Sequence, residues 1–143
     1  MQSYDIDEIQ VGMRVSSVHT VSERNIVEFA EVSGDKNPVH LDEEYAESTR
    51  FKKRIAHGLM SASYFSALFG TQLPGIGCVY VSQNLKFLRP VYIGDTVTAT
   101  VVVKFVDYKT CRVTFETKCE VLAKKVITGE AVLYIPPKEN EIE

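Results

Sequence analysis

The sequence of 143 residues is poor in cysteine, lacks long apolar runs and has no excess of basic residues. Its three cysteines, Cys78, Cys111 and Cys119, cannot pair completely and show no Cys-x-x-Cys spacing, so we expect buried thiols rather than disulfides or a zinc site. The apolar runs are too short to cross a bilayer, which predicts no membrane association. With 16 basic and 19 acidic residues and a net charge of −3, nucleic acid is not an expected partner.

Several motifs of cofactor and nucleophile chemistry are also missing. There is no Gly-x-Ser-x-Gly elbow, no phosphate-binding loop and no dinucleotide fingerprint, since Gly75-Ile76-Gly77 follows Pro74 in a turn. We therefore expect neither a cofactor nor a metal. The first residues lack the basic and then apolar layout of a secretory signal, which predicts a cytoplasmic protein, with the mitochondrial matrix as the alternative.

The length and the 45% hydrophobic content predict one domain over residues 1–143, with a frayed tail at about 137–143. The first half reads as helical. One helix has Ile26, Phe29, Ala30 and Ser33 on one face, begins after Thr20 or Ser22 and stops at Gly34. A short helix is predicted from 42 to about 49. A third, over 59–69, carries no charge on any side and should be a core helix enclosed by protein, ending at Gly70.

The second half alternates apolar and polar residues with period two, which predicts half-exposed strands. The alternation covers residues 79–87, 97–105 and 111–122, with a shorter strand over 126–135 and a further strand at 13–19. Turn signals at Pro74-Gly75, Gly94-Asp95, Asp107-Tyr108-Lys109 and Lys124-Lys125 separate the later strands. Helices clustered early and antiparallel strands late predict an α+β fold in which a curved sheet wraps around the apolar helix.

The residues from Asp35 to His40 form the segment with the most unusual chemistry. Gly34 suits the left-handed conformation that ends a helix, and Pro38 pushes Asn37 out of the helical region, so this segment is a constrained turn. Such a turn can bring a carboxylate and an imidazole to one place. Because His40 can hold or pass a proton near neutral pH, Asp35 and His40 could together activate a water. The alternative is a plain turn in which Asp35 only accepts backbone hydrogen bonds and His40 is only packed.

A second feature is the start of the core helix at His57-Gly58. First-turn N–H groups have no partner inside a helix, and a glycine amide can approach an oxygen closely, so Gly58 is a candidate oxyanion donor. Alternatively, Gly58 only permits tight packing and His57 caps a loop. Ser66 lies two turns further on and, if buried, needs a backbone or carboxylate partner. The run Lys52-Lys53-Arg54 could meet carrier phosphates, although such a run is usually a solvated loop.

Three stretches of the sequence resemble the MaoC-like (R)-specific enoyl-CoA hydratases, also called hydratase 2, which have the hot-dog fold. The resemblance extends over nearly the whole chain, from Val11-Gly12 to about Pro136, and is nearest to the stand-alone bacterial members that supply (R)-3-hydroxyacyl-CoA for polyester synthesis. The motifs that carry it are Phe29-Ala30-Glu31-Val32-Ser33-Gly34-Asp35-Lys36-Asn37-Pro38-Val39-His40-Leu41-Asp42, Arg54-Ile55-Ala56-His57-Gly58-Leu59 and Leu73-Pro74-Gly75.

The resemblance implies a role for each matching residue. Asp35 and His40 would bind and activate the water, the Gly58 amide would polarise the thioester carbonyl, Ser66 would line the site and Asn37 would support the turn. The implied reaction is hydration of trans-2-enoyl-CoA to (R)-3-hydroxyacyl-CoA, or its reverse, with coenzyme A present only as part of the substrate. An acyl carrier protein is the alternative carrier. The resemblance also implies a homodimer joined at the sheet edges.

Two other functions fit a chain of this kind. A hot-dog thioesterase would hydrolyse the thioester, and many such enzymes place a carboxylate on or beside the central helix, but residues 59–69 contain none. A non-catalytic subunit that binds acyl thioesters is the second alternative, against which the presence of Asp35, Asn37, His40 and Gly58 speaks.

Overall fold

Five antiparallel strands form one sheet in the order β1-β3-β4-β5-β2 in the computed structural model, which describes residues 1–138. Strands β1 and β2 are the two edges of this sheet. Residues 139–143, which make up most of the predicted frayed tail, lie outside the described residues. The strands are β1 (Arg14–Thr20), β2 (Val79–Phe87), β3 (Thr96–Asp107), β4 (Arg112–Val121) and β5 (Lys124–Tyr134).

Residues 1–138 also contain four α-helices. They are α1 (Glu23–Ser33), α2 (Pro38–Leu41), α3 (Glu43–Glu47) and α4 (Gly58–Thr71). Helix α3 matches the short helix predicted over 42–49, whereas α2 was not predicted, because four residues show no periodicity. None of these helices combines the length and the hydropathy that a transmembrane segment requires.

Helix α1 begins and ends at signals that the sequence carries. The Ser22 hydroxyl accepts a hydrogen bond from the Asn25 amide, and the Asn25 side chain accepts one from the Ser22 amide. These two bonds satisfy donors that the first turn leaves unpaired. At the other end, Gly34 has a φ of 77°, a left-handed conformation that glycine adopts without strain. The predicted stop at Gly34 is confirmed, and Ser22 rather than Thr20 is the cap.

Helix α4 lies across one face of the sheet and packs mainly on β3. Its Phe65, Leu68 and Phe69 side chains are fully buried, and the Phe69 ring meets the Phe115 ring of β4 edge to face at 4.8 Å. Burying a side chain of this size stabilises the fold by roughly 1.5–3 kcal/mol. A five-stranded antiparallel sheet that holds one apolar helix against its face is the hot-dog fold, so the predicted α+β architecture is confirmed.

The prediction that protein encloses α4 on every side is wrong for the single chain. One stripe of the helix is exposed, and it consists mostly of small residues: Leu59, Ser63, Ser66, Ala67 and Gly70. The absence of charge from this helix is therefore not explained by the core of its own chain. The helix also continues through Gly70 to Thr71.

The turn between β4 and β5 differs from the prediction at Lys124-Lys125. Both lysines belong to β5, and Val121 pairs directly with Lys124, which leaves Leu122 and Ala123 as the turn. Their φ angles are 51° and 63°, values that turns usually assign to glycine or asparagine. Strand pairing across the sheet decides the turn here, against the local preference of its residues.

The three cysteines differ in burial. Only Cys119 is buried, as predicted, whereas Cys78 and Cys111 are half-buried. Burial raises the pKa of the Cys119 thiol to about 12, so this group stays protonated and unreactive at neutral pH.

Candidate active site

The turn after α1 is held by a series of short hydrogen bonds between side chains and nearby amides. The Asp35 amide donates to the Ser33 hydroxyl at 3.1 Å, and the Asn37 amide donates to Oδ1 of Asp35 at 3.2 Å. Asn37 in turn caps α2, since its Oδ1 accepts from the Val39 amide at 3.3 Å. These bonds orient the Asp35 carboxylate at the surface of the turn and place Asn37 where it supports the turn.

His40 lies on α2 with its imidazole buried and in a defined tautomer. Its Nδ1 lies 2.7 Å from the carbonyl oxygen of Ile55. A carbonyl can only accept, so Nδ1 carries the proton and Nε2 keeps a free lone pair. Nε2 of His40 is therefore the atom able to accept a proton from a bound water.

Burial lowers the pKa of His40 below its usual value. The hydrogen bond to Ile55 and the charge of Asp35 act in the opposite direction, and a protonated His57 would lower the pKa further. The net shift is downward, so His40 is neutral at pH 7 and its Nε2 is an acceptor.

His57 connects the two residues of this pair. Its Nε2 donates to the backbone carbonyl of Asp35 at 2.9 Å, and its ring stacks on the His40 ring with centroids 3.8 Å apart. We did not predict this role from the sequence, where His57 was assigned at most to a loop cap. The position of His57 directly before Gly58 was the available signal, because a helix start that faces the turn must also bring its preceding residue there.

Arg54 has a structural role that contradicts the phosphate-binding prediction for Lys52-Lys53-Arg54. Its side chain is buried, donates to the carbonyl of His40 at 2.7 Å and forms an ion pair with Glu23 at 2.7 Å. Both interactions hold α2 against α1. A cavity other than the one that holds Asp35 and His40 is lined by Lys52, Lys53 and Arg54, so this run does not face the catalytic residues.

One cavity of about 620 Å³ brings the predicted catalytic residues together. Asp35, His40, His57 and Gly58 all line it, and its lining as a whole is mostly apolar. The buried lining residues besides the two histidines are Ala56, Ser61, Val91 and Ile127. A deep apolar region beside a few polar groups suits an acyl chain attached to a reactive head.

Gly58 is the first residue of α4, and its amide has no acceptor among residues 1–138. A Cβ atom at this position would lie 2.5 Å from Cε1 of Phe87, closer than any side chain tolerates without movement. Glycine therefore leaves the amide open while the Phe87 ring packs over it. The geometry suits an amide that donates to a negatively charged oxygen.

Ser66 is exposed on α4 and is not among the residues that line the cavity of its own chain. Ser66 lies eight positions after Gly58 in the helix, which is about 12 Å along the axis. Its predicted contribution to the site stays a prediction. The serine that does line the cavity is Ser61, whose hydroxyl is buried without a partner among the described residues.

Asp35, His40 and His57 are also close enough to hold a metal ion, since their ligand atoms lie within 4.8 Å of one another. A metal bound by histidine lies in the plane of the ring, however, and these two rings are stacked with an interplanar angle of 24°. Two stacked rings cannot both direct a lone pair at one ion without reorientation. The arrangement fits a bound water better than a metal.

The sheet order and this cavity define a hot-dog protein in which a carboxylate and a neutral imidazole face a helix N-terminus. Residues 7–130 match the family model of the MaoC like domain, and the chain belongs to this family.

Proteins similar to this chain carry related names. It is 50% identical to an (R)-specific enoyl-CoA hydratase of Rhodospirillum rubrum, over 92% of each chain. It is 42% identical to a 3-hydroxybutyryl-CoA dehydratase of Methylorubrum extorquens, over 94% of this chain and 85% of that protein. Among solved structures, an unliganded R-hydratase of Pseudomonas aeruginosa superposes with a TM-score of 0.89 at 40% identity, covering 96% of this chain and 88% of that one.

Proposed function

We propose that the protein adds water to trans-2-enoyl-CoA to form (R)-3-hydroxyacyl-CoA, and that it catalyses the reverse dehydration with the same groups. The observation that carries the proposal is the meeting of Asp35, His40 and the open Gly58 amide in one largely apolar cavity. The names of the relatives support the same reaction. Because all these groups belong to the chain, the reaction needs no cofactor.

The water is activated between the carboxylate and the imidazole. One of its protons points to Asp35 and the other to Nε2 of His40, which leaves an oxygen lone pair free to attack. As the oxygen attacks the β-carbon, Asp35 takes a proton from the water. The support from the structure is that the Ile55 carbonyl fixes the tautomer of His40 and that His57 fixes both neighbours.

The electrons of the double bond move to the thioester oxygen during this attack. The Gly58 amide donates to that oxygen and stabilises the enolate that forms. A proton then returns to the α-carbon from the same side, which restores the thioester and completes a syn addition. Asp35 can return the proton directly, or His40 can deliver it after its Nε2 has accepted that proton from Asp35, because both residues face the same cavity.

An enoyl substrate series tests the reaction directly. We expect 2-butenoyl-CoA to lose its conjugated enoyl absorbance in the presence of the protein, with (R)-3-hydroxybutyryl-CoA found by chiral analysis. Enoyl chains of increasing length would define the acyl preference. Release of free thiol without hydration would indicate a thioesterase, an (S) product would contradict the family chemistry, and binding without turnover would indicate a non-catalytic subunit.

We propose further that two chains form a homodimer through β2 and the exposed stripe of α4. The edge strand β2 leaves Val79 and Val81 exposed, and unpaired strand edges of this kind normally find a partner. The small residues along α4 would let the helices of two chains approach closely. A dimer would also bury Ser66, a predicted site residue that does not line the cavity of its own chain.

Light scattering should give twice the chain mass of 16.1 kDa. Ala67→Arg, which adds a bulky cation to the exposed stripe of α4, should shift the protein to monomer. Val32→Arg, a matched change on the exposed face of α1, should leave the dimer intact. A monomeric wild type, or equal effects of the two variants, would argue against this interface.

A further inference from the structure

We propose that Arg50 and Arg89 form a subsite for the phosphate groups of the carrier that presents the acyl chain. Both arginines line the catalytic cavity and are exposed, whereas His40 and His57 in the same cavity are buried. They therefore lie on the side of the cavity that opens to solvent. This proposal rests on the hydratase function above, since it names how the same site holds the non-reacting part of its substrate.

The charges around the cavity favour an anionic carrier at this opening. Among the residues up to 138 that line the cavity, Asp35 is the only carboxylate, and Arg50 and Arg89 are the only permanently charged cations. Within residues 1–138, neither guanidinium lies in an ion pair with a carboxylate. The whole chain has a net charge of −3, so a general excess of basic residues does not explain two cations here.

Each arginine is partly positioned while keeping donors available. The guanidinium of Arg50 lies over the Phe51 ring at 4.9 Å, a contact that uses the face of the group and leaves its N–H edge open. Arg89 donates from Nη1 to the Lys125 carbonyl at 2.7 Å, and its remaining N–H groups have no acceptor in the described part of the chain. A planar guanidinium group with unused donors can form two parallel N–H···O hydrogen bonds to two oxygens of one phosphate.

The other cationic side chains near the site are less suitable for binding the phosphate groups of the carrier. Arg54 is buried and occupied by Glu23 and a backbone carbonyl, and Lys53 lines a separate cavity with its ammonium over the Tyr92 ring. The phosphate subsite therefore comes from residues 50 and 89, which are distant in sequence and meet only in the fold. Phosphate is shared by coenzyme A and by the phosphopantetheine arm of an acyl carrier protein, so the test must separate these carriers.

The test compares thioesters that differ only in the carrier. KM is measured for 2-butenoyl-CoA and for 2-butenoyl-pantetheine, which has no phosphate, with the wild type, Arg50→Gln and Arg89→Gln. We expect each variant to raise KM for the coenzyme A thioester about tenfold, the size of one lost charge-assisted hydrogen bond. KM for the pantetheine thioester should stay unchanged, as should kcat for both substrates.

Lys53→Gln serves as the matched control, because it removes a nearby surface cation that faces another cavity. It should leave both KM values unchanged. A third substrate, 2-butenoyl acyl carrier protein, identifies the source of the phosphate. The carrier whose KM rises more when Arg50 or Arg89 is replaced is the one whose phosphate the subsite binds. An equal rise of KM for the phosphate-free thioester, or no rise for any carrier, would overturn the proposal.

Failure of the hydratase function can be separated from failure of this subsite. Turnover of the pantetheine thioester by the wild type tests the reaction without involving either arginine. Calorimetric titration with coenzyme A alone tests the arginines without turnover, and both variants should then bind about tenfold more weakly than the wild type and Lys53→Gln. Equal affinity for coenzyme A in all four proteins would contradict the phosphate subsite, even if the hydratase reaction is confirmed.

Discussion

Asp35→Asn should lower kcat for enoyl-CoA hydration by about 10²–10⁴-fold, the range typical of a lost general base. The amide side chain can still accept the hydrogen bond from the Asn37 amide, so the turn should keep its shape. What disappears is the group that takes the proton from water. Steady-state assay with 2-butenoyl-CoA measures the effect, and substrate KM should change far less than kcat.

Asp42→Asn is the matched control for this variant. Asp42 lies seven positions further along the chain, is exposed, and caps α3 through the Tyr45 amide, a role that asparagine performs equally well. It does not line the cavity. Activity should be retained in this control, and both variants should melt near the wild-type temperature. Wild-type turnover in Asp35→Asn would remove Asp35 from the mechanism.

His40→Asn should lower kcat/KM about a hundredfold or more and also change how the rate depends on pH. The asparagine amide can take the place of Nδ1 as donor to Ile55, but nothing replaces the acceptor Nε2. In the wild type, protonation of His40 blocks that acceptor, so activity is present above the pKa of His40 and is lost below it. Burial lowers this pKa, so the acid limb should have its midpoint below 6.5.

The measurement is kcat/KM against pH for the wild type and the variant. In His40→Asn, kcat/KM should be much lower at every pH, and the fall at low pH that protonation of His40 causes in the wild type should be absent. His19→Asn is the control, since the same change is made at a second histidine, which stacks on Tyr64 in a separate cavity. This control should keep both the wild-type value of kcat/KM and the loss of activity at low pH. A wild-type midpoint above 6.5, or a limb that persists in His40→Asn, would contradict a neutral, water-binding His40.

Local signals in the sequence predicted most of the fold correctly. Ser22 and Gly34 bound α1 through capping bonds and a left-handed residue, both of which depend only on nearby residues. Alternation with period two located β3 and β4 because one face of each strand meets the core, and the same pattern located β2 although none of its residues is buried in the single chain. The turn at Leu122-Ala123 escaped prediction, since strand pairing rather than residue preference placed it.

Only part of the candidate site could be predicted from local signals in the sequence. Asp35 and His40 lie five positions apart in a turn whose shape follows from Gly34 and Pro38, so their proximity could be predicted from the sequence. The support of that pair by His57 and the burial of Arg54 against the His40 carbonyl could not be predicted. Those contacts join α1, α2 and the start of α4, and no spacing along the chain encodes them.

The sequence by itself determined the α+β class, the proximity of Asp35 and His40 and an open amide at a helix start, because helix caps, strand alternation and tight turns are set by residues close in the chain. Only the tertiary structure decided which imidazole nitrogen of His40 is free, which face of α4 stays exposed and which arginines reach the cavity. The physical reason is that burial, tautomer and charge pairing depend on neighbours that packing supplies from distant parts of the chain.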